Sequence, residues 1–250
     1  MDLCGGQPLR LSSPKFKTLY LVRHAQGIHN VVLEEKGKID GIGDAHLSPR
    51  LLDAPLSPKG IQQVSEHRKQ ILESGLLNTI ELVITSPLRR AMETAVGIFR
   101  GHKDINLSDN FPPIVALELC RERLGLYPCD RRENISTRRI CFPEIDFTMV
   151  RIKRENLEEV SARGLRFLKW LWERPEKEIA VVSHGIFLQQ TLCALHEKVS
   201  IHLQDNLLTR FANCELRSIR IDKSDMEAVT RTTYNCRENV APTSSSLHKL

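Results

Sequence analysis

The chain has 250 residues, 41% of them hydrophobic and 27% charged, a soluble globular balance with enough length for one sizeable core. The formal net charge of +5 fits an anionic substrate, but aromatics are only 5% and no basic run is interleaved with stacking residues, which argues against a nucleic-acid binder. No stretch approaches the ~20 apolar residues of a membrane span.

In chain order, residues 1–16 read as a loose leader containing Gly5, Gly6, Pro8 and Pro14. They lack the apolar centre of a secretory signal, so a cytosolic protein is expected, with a short organelle-targeting segment still compatible. Seven cysteines, an odd count with no C-x-x-C pair, fit reduced thiols. Residues 17–22 (KTLYLV) predict a short buried strand that ends at Arg23-His24-Ala25-Gln26-Gly27. Residues 31–56 are loop-like. Ser57 and Pro58 then supply the N-cap and first position of a helix that Gly75 stops.

Residues 80–85 (IELVIT) predict a second strand, with Ser86-Pro87 starting another helix by the same cap logic. Leu88, Ala91, Met92, Ala95, Val96 and Phe99 make its buried stripe. Residues 114–119 predict a third strand. Residues 120–154 look irregular, rich in Arg and Cys, and suited to a lid-like insertion. A long helix follows, with Leu157, Val160, Gly164, Leu165, Leu168, Leu171 and Trp172 on one face and Pro175 as its stop. Residues 179–183 predict a fourth strand handing over to a helix at His184-Gly185, and 214–221 an edge strand. The expected layout is a leader (1–16), a catalytic domain (17–222) with its insertion, and a polar tail (223–250) whose last ten residues are disordered.

Alternating strands and helices predict an α/β fold with a mostly parallel sheet, whose ligands bind beyond the carboxyl ends of the strands. Four candidate groups fall at or past such ends: Arg23-His24, Arg90, Glu122 and His184. Phosphoryl transfer needs positive charge on the equatorial oxygens and an in-line nucleophile. Two arginines supply forked donors that match a phosphate. The helix start at Gly185 adds backbone N–H groups and lets backbone approach an anion. A neutral imidazole supplies the nucleophile and a protonated carboxyl the leaving-group proton. His29, His46 and Asp44 sit near His24 in sequence, but no spacing resembles a metal site.

LVRHAQGIHN resembles the Arg-His-Gly signature of the histidine phosphatase superfamily, the group that includes cofactor-dependent phosphoglycerate mutases. SPLRRAMETA resembles that family's second motif and VVSHGIFL its His-Gly motif, in the same order and rough spacing. The likeness covers about residues 17–221. It is closest to the plant phosphoglycerate mutase-like group, through stretches resembling RHAQGIHN, CRERLG, PCDRR, IDF and FANCELRS.

The resemblance implies a three-layer α/β/α sandwich. It implies that His24 is phosphorylated and that Arg23, Arg90 and His184 hold the transferred phosphoryl group. Asn30 would touch the phosphate or order its loop. No metal or organic cofactor is implied. Ala25 and Gln26 depart mildly from the pattern. The general acid is assigned to Glu122, three residues before Gly125 where the family often has four, with Glu118 as its rival. Arg131 and Arg132, in the stretch shared with the plant group, are assigned to the rest of an anionic substrate.

The expected function is a phosphatase for a small phosphorylated metabolite, acting without nucleic-acid or membrane partners. The sequence leaves the oligomeric state open. A phosphoglycerate-type mutase and a non-catalytic phospho-ligand-binding protein are the alternatives.

Overall fold

The computed structural model describes residues 15–36, 47–101, 111–150, 157–199 and 205–238. The leader up to Pro14, Asp44, His46 and the last twelve residues lie outside them. In chain order the elements are β1 (Phe16–Arg23), α1 (Ile28–Lys36), α2 (Pro58–Glu73), β2 (Leu82–Thr85), α3 (Arg89–Phe99), β3 (Ile114–Leu117) and α4 (Ile135–Cys141). There follow β4 (Ile145–Met149), α5 (Leu157–Glu173), β5 (Glu178–Ser183), α6 (Gly185–His196), α7 (Asp205–Leu208), β6 (Leu216–Asp222) and α8 (Lys223–Glu238).

The strands form one sheet in the order β4-β3-β2-β5-β1-β6. All neighbours are parallel except β6, which runs antiparallel to β1 at one edge. Strand residues alternate between two cores. Leu19, Leu21, Leu82, Ile84, Ile179 and Val181 pack against α5, α6 and α8 on one face. Val22, Val83, Ala180 and Val182 pack against α2 and α3 on the other. The fold is therefore a three-layer α/β/α sandwich with a mostly parallel sheet, as expected.

Three local differences from the sequence reading have physical causes. The stretch at 120–154 is not simply irregular: it holds α4 and contributes β4, whose Ile145 and Phe147 are buried beside β3. The segment after Asp222 forms α8, seated through Met226 and Val229. Ser86 does not cap α3. That helix begins at Arg89 with Leu88 as its cap residue, and the Arg89 N–H donates to Asp53 Oδ1 at 2.8 Å. By contrast, Ser57 caps α2 as predicted, accepting from the Gly60 N–H at 3.0 Å, and Gly75 ends that helical region at φ +70°.

Candidate active site

β1, β5 and β2 lie side by side, with Arg23 level with Ser183 and Thr85 level with Val182. Their carboxyl ends therefore deliver His24, His184 and Ser86 to one place. The His24 N–H donates to the Ser183 carbonyl at 2.8 Å, and the His24 and His184 rings are 5.0 Å apart between centroids. Arg90, in the first turn of α3, completes the floor. His24, His184 and Arg90 are 2%, 0% and 1% exposed, so these side chains belong to the interior and not to a solvated rim.

The hydrogen bonds fix the state of His24. A carbonyl oxygen can only accept, so Nδ1 carries the proton it donates to Ala25 O at 2.7 Å. Nε2 is then an unprotonated lone pair, accepting from Arg90 Nε at 3.2 Å. Burial, reinforced by the Arg90, His29 and Arg23 charges, holds the His24 imidazole well below its ordinary 6.5. His184 is held down in the same direction, by burial and then by Arg90. His184 Nε2 lies 2.7 Å from Ser86 Oγ, and its Nδ1 is buried without a hydrogen-bond partner. The serine that looked like a helix cap is thus a support for this histidine.

Arg90 reaches two ways. Beyond His24, its Nη1 donates to the Cys129 carbonyl at 2.8 Å, tying α3 to the insertion. Arg23 donates from Nη1 to the Phe211 carbonyl at 2.7 Å, while its Nε is buried without a hydrogen-bond partner. Burial, and next the charge of Arg210, lower the Arg23 guanidinium to about 10. Asn30 orders the loop: its Oδ1 accepts from the Gly27 N–H at 2.9 Å and from Asn213 Nδ2 at 3.4 Å. Asn213 in turn donates to the His24 carbonyl at 3.2 Å.

The two candidate carboxyls sit differently. β3 ends at Leu117, and Glu118 opens a short 3-10 turn instead of lying within the strand. It forms ion pairs with Arg121 at 2.8 Å and Arg132 at 3.5 Å, although burial still raises its proton affinity. Glu122 instead lies at the start of α6, where its Oε1 accepts from the Phe187 N–H at 3.2 Å and the Arg123 N–H at 3.0 Å. Its turn is held by Arg163 of α5, which donates to the Leu119 and Arg121 carbonyls at 2.7 and 2.8 Å. Ser183 Oγ adds a bond to the Cys120 carbonyl at 2.6 Å.

The insertion arginines do not gather with the histidines. Arg131 is exposed, and Arg132 is occupied by Glu118. Gly185 is in place at the α6 start, beside Arg23.

Sequence reasoning read Asp53 as shaping its loop or lining the pocket edge, and missed Asp130 and Arg210. Asp53, 1% exposed, accepts from the Arg89 N–H, the Glu133 N–H and Arg138 Nε, so it joins the loop before α2, the start of α3 and the insertion. Asp130 accepts from the Gly125 N–H at 3.1 Å, and burial followed by the Glu122 charge raises its proton affinity. Arg210 reaches the α6 start. Only the shared stretches PCDRR and FANCELRS hinted at the regions of Asp130 and Arg210. Among the described residues, no group of three or more His, Cys, Asp or Glu side chains is arranged to hold a metal ion. A groove of about 720 Å³ between α2, α3 and residues 141–144 is lined by none of the histidine-cluster residues. Among the described residues no helix is long and apolar enough to cross a membrane.

Fold and site together define an α/β protein with a cluster of two buried histidines and two arginines at the strand ends. The chain belongs to the histidine phosphatase superfamily: the profile of its branch 1 matches residues 19–233. Phosphoglycerate mutase-like protein 1 of Arabidopsis thaliana is 42% identical over 238 residues, covering 83% of this chain and 82% of that protein. A second protein of that plant, named phosphoglycerate mutase-like protein, is 40% identical over 249 residues, covering 88% and 90%. The crystal structure of the ecdysone phosphate phosphatase of Bombyx mori, solved with tungstate, has the same fold at TM-score 0.56. It is 18% identical, with 81% of this chain and 88% of that chain covered.

Proposed function

We propose that the protein is a phosphohydrolase that cleaves a small phosphorylated metabolite through a phosphohistidine on His24. One observation carries this reading: a buried, neutral His24 whose Nε2 lone pair faces Arg90, with Arg23 and His184 alongside. An imidazole held neutral keeps its nucleophilic lone pair at neutral pH.

In the reaction, the phosphoryl group of the ester takes Arg90 from the His24 lone pair and places its equatorial oxygens against Arg90, Arg23 and His184. His24 Nε2 attacks phosphorus in line as the P–O bond to the alcohol breaks, and the Glu122 carboxyl gives its proton to the departing alkoxide. Water then attacks the phosphohistidine. Glu122, now a carboxylate, takes the proton of that water, and orthophosphate leaves with His24 restored. Each half-step uses charge stabilisation and positioning already built into the pocket.

The test is covalent labelling with a ³²P-labelled ester followed by denaturation. An acid-labile, alkali-stable label is expected, absent in His24→Ala together with turnover. Retained turnover in that variant would falsify the mechanism. The mutase in the relatives' names is separated by incubation with 3-phosphoglycerate and its bisphosphate primer, where release of free phosphate without isomer formation is expected.

A further inference from the structure

The start of α6 carries a second cation that the reaction above does not use. A Cβ built at Gly185 would lie 3.3 Å from Nε of Arg23 and 3.3 Å from Nε of Arg210, so two guanidiniums flank the same helical turn. Like charges so placed repel, and an anion between them relieves that repulsion.

The backbone presenting Arg210 is firmly held. Arg217 donates to the carbonyls of Asn206, Thr209 and Arg210 at 2.5, 3.0 and 3.3 Å and stacks over the Phe211 ring at 3.9 Å. The Phe211 carbonyl takes Arg23 Nη1, and the Cys214 N–H donates to the His24 carbonyl at 3.2 Å.

The Arg210 side chain, by contrast, is exposed and has no carboxylate partner among the described residues. The neighbouring acids are engaged. Glu215 accepts from Arg217 Nε and Nη2 at 2.7 and 3.0 Å, and Glu122 accepts two backbone N–H groups. Arg23 Nε is buried without an acceptor on the same side. Arg132, expected from the sequence to meet the remainder of the substrate, is paired with Glu118.

We propose that Arg210 and Arg23 form a rim subsite for a second anionic group of the substrate, so that the pocket selects phosphomonoesters carrying a further negative charge close to the ester. This deepens, and rests on, the phosphohydrolase reading. Arg210 is exposed whereas His24, Arg90 and His184 are buried, which places it at the rim beside Arg23 and outside the buried part of the phosphoryl cradle.

The test uses 3-phosphoglycerate and glycerol 3-phosphate, which differ by a carboxylate in place of a hydroxymethyl group. Their binding is measured by calorimetry on His24→Ala, so that the readout does not depend on turnover. The carboxylate ester is expected to bind about tenfold more tightly. Arg210→Gln should reduce that preference to about twofold or less, and Arg210→Lys should keep part of it. Equal affinities before substitution, no binding of either ester, or an equal loss for both in Arg210→Gln overturn the subsite. Turnover of the same two esters by the chain with His24 intact tests the parent reading separately. Selectivity without turnover keeps the subsite and removes the hydrolase.

Discussion

The floor of the pocket and its insertion-side wall are built by opposite means. The floor is backbone-determined: adjacent parallel strands end together, and His24 and His184 have no freedom to be elsewhere once β1 pairs with β5. The wall, from Glu118 to Cys141, is assembled by side chains that bridge distant segments. Examples are the Asp53–Arg138 ion pair at 2.8 Å and the Arg121–Glu118–Arg132 cluster. Damage to the floor should therefore appear in chemistry, and damage to the wall in stability and leaving-group behaviour.

The sharpest way to break this contrast is Arg90→Ala, which sits in the floor yet also holds the wall through the Cys129 carbonyl. A fall in kcat/KM of about 10³-fold or more is expected, with steady-state kinetics on p-nitrophenyl phosphate as the check. Next comes Asp53→Ala, which strands Arg138, a guanidinium 3% exposed, without its buried carboxylate. A loss of about 3 kcal/mol in urea unfolding is expected. Asp53→Asn should lose less, because its amide oxygen can still accept from the Arg89 N–H.

Glu122→Gln sharpens the same comparison. It should slow cleavage of alkyl phosphates about 10²-fold while sparing p-nitrophenyl phosphate, whose leaving group needs no proton. If Glu118→Gln shows that pattern instead, the proton donor belongs to the Arg121–Arg132 cluster.

The last effect is one of pH. His24 and His184 are both lowered on folding, so the unfolded chain binds the additional protons below its ordinary 6.5. Stability due to them is therefore present above that value and lost as pH falls below it. The loss should be up to about 1.4 kcal/mol per pH unit for each histidine. Imidazole ring signals of His24 and His184 that titrate near the ordinary 6.5 by NMR would contradict the neutral state of both rings.

The same contrast explains what could be read from the sequence. β1, β2, β5 and the four floor residues announce themselves locally: Arg23-His24 and His184 at the ends of apolar runs, and Arg90 in the first turn of the helix five residues after β2. The wall does not. β4 is five residues, of which Asp146, Thr148 and Met149 are exposed, and its strand character comes from docking beside β3. α8 has few apolar residues, of which Met226 and Val229 suffice because the face of the sheet beneath them is already formed. Ser86 looked like a cap because cap logic is local, whereas its partner, His184, is 98 residues away. Asp53, Asp130 and Arg210 likewise acquire meaning only through partners distant in sequence, a kind of information that periodicity and spacing do not carry. Asn30 orders its loop both through Gly27, three residues back, and through Asn213, 183 residues on, and only the first contact is local.

β1 leads directly into His24, the proposed nucleophile, yet its two sheet neighbours, β5 and β6, come from residues 178–183 and 216–222. During synthesis from the amino terminus, the His24 segment must wait until residues 178–183 have been made before its first edge is covered. Such distant pairing slows folding and leaves an apolar strand open to wrong partners in the interval. A ribosome-stalled chain ending before β5 should accordingly depend on chaperones and display no pocket, however complete its first motif.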